Sequence, residues 1–150
     1  MKVLLQRVSR VSVTVSERVI SETGPGLLAL IGFGRDDTDK DLEWMSRKIL
    51  GLRIFPDSRD NMNLSVADVN GEIMIVSQFT LHADSRKGRR PSFIDAASPE
   101  RAELLYNLFV EVLSHSGLSI QSGIFGAMMD VKLVNSGPVT IMLESPSERK

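Results

Sequence analysis

Three short segments hold the residues whose types and spacing suit chemistry. Val76-Ser77-Gln78-Phe79-Thr80 closes a strongly apolar run with two hydroxyls and an amide, the pattern expected where a rigid strand hands polar groups to a loop that admits substrate. Shortly after it, Arg86-Lys87-Gly88-Arg89-Arg90 places four positive charges within five residues, and Gly88 lets the backbone turn so that the arginines converge. Such a loop suits phosphate. The third segment is Asn135-Ser136-Gly137-Pro138-Val139-Thr140, whose Gly-Pro bond belongs to the class for which the cis form is accessible and would turn carbonyls outward. Each has a plainer reading too: a strand end satisfying local backbone groups, a solvated loop and a hairpin turn. Residue types alone leave both readings open.

Conventional catalytic groups are scarce. The two histidines, His82 and His115, lie far apart and form no metal-ligand spacing. His82 would share a strand face with Thr80 and could act as its base, but no third group is in place to orient it. His115, near a helix end, suits a solvent-facing role complementing the dipole. The acidic residues suggest no general acid/base pair. With no cysteine, disulfides, thiolate zinc sites, iron–sulfur clusters and a thiol nucleophile are all excluded. No metal and no cofactor are expected.

Composition bounds the rest. At 150 residues, with 42% hydrophobic and 25% charged, the chain reads as one domain over 1–150, able to bury roughly 70% of its unfolded surface. Eighteen basic against 19 acidic side chains give a formal charge of -1, which argues against indiscriminate coating of nucleic acid and leaves room for a local basic grip. The opening MKVLLQRVSRVSVTV has Arg7 and Arg10 where a signal peptide needs an unbroken apolar core. No run reaches the roughly 18 apolar residues of a membrane span. A soluble cytoplasmic protein with no membrane partner is the expectation.

The elements that must position these segments follow from periodicity. Val11, Val13 and Val15 alternate with Ser12 and Thr14, as in a half-buried strand that Val3 and Leu5 begin. Val19-Ile20 and the continuous apolar run Leu27–Phe33 complete three strands in a meander. Thr38 and Asp41 form a capping box before a helix carrying Leu42, Met45, Ile49 and Leu52. Arg53-Ile54-Phe55 reads as a short strand. Leu64–Val69 and Glu72–Phe79 read as a hairpin with a type I′ turn at Asn70-Gly71. Ser98-Pro99-Glu100 opens a second helix carrying Ala102, Leu105, Phe109 and Val112, stopping near Gly117. Leu118–Gln121, Met129–Asn135 and Val139–Leu143 read as strands, the last two joined through Asn135-Ser136-Gly137-Pro138, and 145–150 as a polar, frayed tail. The fold class is β-rich α/β: two sheet layers of about seven strands, two helices packed outside, and leftover sheet edge or face favouring self-association.

Taken in order, these segments resemble the D-aminoacyl-tRNA deacylase family of the bacterial type. The resemblance runs from Gln6-Arg7-Val8 through Leu52-Arg53-Ile54-Phe55, Met62-Asn63-Leu64-Ser65, Val76–Leu81, Lys87–Phe93 and Gly123-x-Phe125-Gly126-Ala127 to Asn135-x-Gly137-Pro138-Val139-Thr140. It covers nearly the whole chain, and the SQFT and GPVT elements together are specific. It implies a homodimer in which a cis Gly137-Pro138 enters the partner's active site. It implies a D-aminoacyl-adenosine pocket near Ser77, Gln78, Phe79 and Thr80, with backbone N–H groups of Phe79 and Thr80 as oxyanion donors. Phe125, Ala127 and Met129 lie near that pocket, Arg7 holds the Gly-Pro element, and Arg86, Lys87, Arg89 and Arg90 contact tRNA. The activity implied is hydrolysis of the ester joining a D-amino acid to the terminal adenosine of tRNA, rejecting L-amino acids; glycine, which has no side chain to exclude, is an expected further substrate.

Some residues depart from that pattern. Asp60-Asn61 stands where Gly-Lys is common, and Ser136 and Met128 where Asp is common. Two other readings stay open: a tRNA- or DNA-binding dimer without catalysis, and an esterase using Thr80 as nucleophile.

Overall fold

The structure is a computed structural model and describes residues 1–146. The alternating valines form β1 (Lys2–Val15), the longest of the early strands. Its Lys2–Val8 half pairs antiparallel with β3 (Gly26–Gly32), and its Val11–Val15 half with β2 (Arg18–Thr23). Its other edge pairs antiparallel with β8 (Asp130–Glu144). Between Leu5 and Val8 the strand changes allegiance. Val3 and Leu5 enter one apolar core, while Val8, Val11 and Val13 enter a second.

The continuous apolar runs lie in the middle of the sheet, as their composition demands. Strand β6 (Glu72–Ser77) pairs in parallel with β3 and with β7 (Ile120–Ser122). Leu27, Ala29, Ile31, Ile73 and Ile75 face the first core, and Leu28, Met74 and Val76 face the second. The first core is roofed by two α-helices, α1 (Asp39–Gly51) and α2 (Pro99–Ser114). Helix α1 opens on the expected capping box, with the Thr38 N–H donating to Asp41 Oδ2 at 2.8 Å. Helix α2 opens on Ser98 and buries Ala102, Leu105, Tyr106, Phe109 and Leu113. Ser21 Oγ on β2 donates to the Ser122 carbonyl on β7 at 3.0 Å, which brings the ends of the curled sheet together.

The mixed α/β class and the pair of helices stand, and several local expectations are corrected. The strands form one six-stranded, near-closed sheet with a separate two-stranded ribbon, rather than two distinct layers. Asn70-Gly71 is not a hairpin: β6 is flanked by β3 and β7, and Leu64 belongs to β5 (Met62–Leu64), which pairs with β4 (Phe55–Pro56). The turn is local, with the Gly71 N–H donating to the Val66 carbonyl at 2.9 Å. A strand as apolar on both faces as β6 belongs in the sheet interior with a partner on each edge, and β3 and β7 take both edges. Met129–Asn135 and Val139–Leu143 are not two hairpin arms but one strand, β8, interrupted at Ser136–Val139 while both halves keep pairing with β1. Of the polar tail expected over 145–150, Ser145 donates its N–H to the Met1 carbonyl at 2.9 Å, and residues 147–150 lie outside the described residues. Among the described residues no helix is long and apolar enough to cross a membrane.

Gly26 pairs with Glu72 of β6, and a Cβ there would sit 1.8 Å from the Glu72 carbonyl oxygen. Backbone cannot yield there without breaking the parallel register. Gly26→Ala is therefore expected to lower the unfolding free energy by about 3 kcal/mol or more. Urea unfolding checks this; a midpoint equal to that of the unsubstituted protein contradicts the packing described.

Candidate functional site

The candidate site lies at the carboxyl end of the parallel strands, where open α/β sheets present ligand crevices. Ser77 ends β6 level with Ile31, and the Gln78 N–H donates to the Ile31 carbonyl at 2.7 Å. The chain then winds into a 3-10 helix over Phe79–His82. The first N–H groups of a helix have no acceptor within it. Here Gln78 supplies no side-chain cap, and among the described residues neither the Phe79 nor the Thr80 N–H meets an acceptor. Two adjacent, unpaired, rigidly held N–H donors are what a developing oxyanion requires.

The same winding removes the proposed Thr80–His82 pairing. Thr80 faces outward, its Oγ1 accepting from Gln78 Nε2 at 2.5 Å. His82 faces inward, buried, with its Nε2 unpartnered. It packs so tightly between Gly32 and Gly34 that Cβ atoms there would lie 3.0 and 3.2 Å from its ring carbons. In a strand, residues two apart share a face; on this turn they do not. His115, by contrast, is exposed at the C-cap of α2, as its position suggested.

One wall beside Ser77 comes from the segment after β7. The Gly123 N–H donates to the Ile75 carbonyl at 2.9 Å, and a Cβ on Gly123 would lie 2.6 Å from Met129 Sδ and 3.7 Å from Val76 Cγ2. Met129 is thus packed next to the residue that precedes Ser77. Phe125 tilts against Tyr106, ring centroids 5.7 Å apart, and the Ala127 N–H closes a turn on the Ile124 carbonyl at 3.2 Å. The Tyr106 hydroxyl donates to the Ile75 carbonyl at 3.0 Å, tying α2 to β6. Helical periodicity does not single Tyr106 out for this tie, because its partners lie on β6 and after β7.

Gly137-Pro138 is elsewhere. Its peptide bond is cis, and it lies opposite Arg7, between the Gln6–Thr140 and Val8–Asn135 pairs. Ser77 is level with Ile31, which pairs with Val3, four residues along β1 from Arg7. That offset is about 13 Å along the strands, and β1 and β3 separate β8 from β6. Within one chain the Gly-Pro element therefore does not meet Ser77–Thr80. Arg7 braces it, with Nε donating to the Ser136 carbonyl at 2.7 Å and Nη1 to the Ile54 carbonyl at 2.6 Å. Asn135 also braces it, through Oδ1 accepting from the Val139 N–H at 2.7 Å. Any Cβ on Gly137 would crowd Val139 at 2.8 Å and Arg7 at 3.0 Å. Of the departures, Ser136 takes part through its carbonyl and Met128 is 90% exposed, so neither side chain enters this bracing.

The basic loop is closed at its base by mutual backbone hydrogen bonds between Asp84 and Ser92, at 2.8 and 2.9 Å. Its charges are not equivalent. Arg86 grips Asp84 in a two-pronged pair at 2.9 and 2.7 Å, and those hydrogen bonds hold the Asp84 carboxyl well below the usual carboxylate range. Lys87, Arg89 and Arg90 have no ion pair among the described residues and remain available to a ligand. No cluster of three or more potential metal ligands occurs among the described residues.

Fold and site together define a class: a mixed α/β protein with a near-closed sheet, presenting main-chain donors at a strand end. The same fold is seen in a probable eukaryotic D-amino acid tRNA deacylase, with a TM-score of 0.82 at 21% identity over 95% of this chain and 97% of that one. A structure of the c-Myc DNA unwinding element binding protein superposes with a TM-score of 0.93 at 48% identity, covering 98% of this chain and 100% of that one. Residues 4–144 match the family model described as D-Tyr-tRNA(Tyr) deacylase. Proteins named D-aminoacyl-tRNA deacylase from Listeria monocytogenes serotype 4a and Thermotoga petrophila are 54% and 51% identical, over 99% and 97% of both chains respectively. The chain belongs to the D-Tyr-tRNA(Tyr) deacylase family, a family of ester hydrolases.

Burial at the wall pushes the Tyr106 phenol up to about 12 from 10.0. The folded state thus favours the neutral phenol: its contribution to stability is complete below pH 10 and is lost as pH rises from 10 towards about 12. Tyr106 is the single tyrosine, so tyrosinate absorbance reports it alone. The titration is expected to show no step centred at 10; a midpoint there would mean that the hydroxyl is exposed and the α2–β6 tie absent.

Proposed function

We propose that the protein hydrolyses the ester between a D-amino acid and the terminal adenosine of tRNA, and does the same for glycine. The observation that carries this reading is the pair of unpaired Phe79 and Thr80 N–H groups at the end of β6. As water attacks the ester carbonyl, its oxygen takes up negative charge that these donors stabilise, and the ribose oxygen leaves with the electron pair. An aminoacyl ester is already reactive, so positioning suffices. The ribose 2′-hydroxyl supplies the proton-transfer help that Thr80, whose oxygen accepts from Gln78, lacks.

Chirality is read by exclusion. Main-chain carbonyls near Ser77–Thr80 receive the substrate ammonium, and Gly137-Pro138 fills the space an L side chain would need. Since these elements lie apart within one chain, the Gly-Pro element belongs to a second copy seated across the site. Two features support that assembly: β8 pairs only with β1 among the described residues, leaving its outer edge open, and Val134 and Met142 along it are exposed. Phe125, Ala127 and Met129 form the wall towards the adenosine, while Lys87, Arg89 and Arg90, with Arg86 at the loop's base, face tRNA phosphates in the cytoplasm.

A second reading has one observation in its favour, the 48% identity to a protein described as binding a DNA unwinding element. The same basic loop would serve it. Purified protein given matched D- and L-aminoacyl-tRNA separates the two: the deacylase reading expects rapid loss of the D ester and at least about a hundredfold slower loss of the L ester. Binding that leaves both esters intact refutes it. In single-turnover assays Thr80→Ala is expected to keep cleavage within roughly tenfold of the unsubstituted rate, whereas a substrate lacking the 2′-hydroxyl fails. A covalent adduct on Thr80, with cleavage abolished in Thr80→Ala, would instead make Thr80 the nucleophile.

A further inference from the structure

The exposed surface next to the N–H pair is aromatic. Phe79 is 56% and Phe93 38% exposed, their ring centroids 5.0 Å apart in an edge-to-face arrangement at 66°. Large apolar groups left in water beside a polar site call for an explanation. An edge-to-face pair occupies one face of one ring only, so open π surface remains.

This corner is held rigidly. The backbone entering Phe79 is pinned by the Gln78 N–H to the Ile31 carbonyl at 2.7 Å, and that following Phe93 by the Ala97 N–H to the Phe33 carbonyl at 2.9 Å. Both aromatic residues thus stand within four residues of hydrogen bonds made at the carboxyl end of β3. Phe93 also directly follows Ser92, which closes the base of the loop carrying the unpaired Lys87, Arg89 and Arg90. An aromatic face set between a positive loop and a main-chain oxyanion site is the combination that binds single-stranded nucleic acid, with cations on phosphates and rings on bases.

We propose that the Phe79–Phe93 corner is a stacking platform for the base of the nucleotide next to the terminal adenosine, and that Phe93 is the residue that positions it. The inference rests on the deacylase reading and extends it from the ester to the strand that carries it. The ester must reach the Phe79 and Thr80 N–H groups, which places the terminal adenosine against them. The preceding nucleotide, running towards the basic loop, then passes over Phe93. Recognition by stacking accepts any base, because every base has a π face. It therefore adds grip without restricting the enzyme to one tRNA.

The test compares D-aminoacyl-tRNA with D-aminoacyl-adenosine, which lacks the neighbouring nucleotide. Phe93→Leu keeps apolar bulk and removes the π face. It is expected to lower kcat/KM for the tRNA relative to the adenosine ester by about tenfold, within the range of one lost base stack, and Phe93→Trp should restore the ratio. An unchanged ratio overturns the proposal. So does an equal loss on both substrates, which would mark Phe93 as structural or, if sedimentation also changes, as covered by a second copy. A binding measurement with uncharged tRNA separates this from failure of the deacylase reading. An abasic nucleotide next to the terminal adenosine should weaken binding about tenfold in the unsubstituted protein, with little further loss in Phe93→Leu. Such coupling without any hydrolysis would keep the platform and reject the deacylase, whereas hydrolysis without coupling would do the reverse.

Discussion

Strand β1 hydrogen-bonds along both edges, and the placement of almost everything else follows from that. On one edge its partner changes from β3 to β2 partway along, while its buried side chains pass from the core under the helices to the core inside the curl. On the other edge it holds β8 in register on either side of Arg7. Gln6 pairs with Thr140 and Val8 with Asn135, so residues 136–139 of β8 stand opposite one residue of β1. Chain that cannot fit the ladder must leave it. The Gly-Pro element is what leaves, and Arg7, the residue it faces, braces it together with Asn135.

A second consequence concerns the chemistry. With no thiol, one histidine buried behind the site and the other exposed at a helix end, the chain offers few side chains able to transfer protons or attack a carbonyl. What it does offer is main chain, held by the parallel pairing of β3, β6 and β7. Backbone donors are pre-oriented and uncharged, and their position is as rigid as the sheet, which suits stabilising charge that appears only in a transition state. The aromatic corner and the unpaired cations of the basic loop border the same strand end.

Much of this was legible in the residues. Alternating valines mark β1, the runs Leu27–Phe33 and Glu72–Phe79 mark strands buried on both faces, and both helices begin at the caps their sequences carry. The errors share a cause. Asn70 does take a positive φ, but Gly71 does not, so the pair makes no type I′ turn: the Gly71 N–H closes back on the Val66 carbonyl, β5 pairs with β4, and β6 pairs with β3 and β7. Around Pro138 the strand resumes its original direction because β1 is there to receive it. After Gln78 the run stops being a strand, and the change of winding carries Thr80 outward and His82 inward. Arg86 reads in the sequence as a fourth charge of the loop, and in the fold it is tied to Asp84.

The sequence by itself determined the periodic elements, the helix caps, the absence of thiol chemistry and, through motifs spread from Gln6 to Thr140, the family. Each depends on residues close together in the chain or on their order along it. Only the tertiary structure decided that Gly137-Pro138 and Ser77–Thr80 sit apart in one chain, that Thr80 and His82 face opposite ways, and that Phe93 meets Phe79. These are matters of register and facing. They are set by which distant strands satisfy one another's hydrogen bonds and bury one another's faces, a choice that no local pattern of residues encodes.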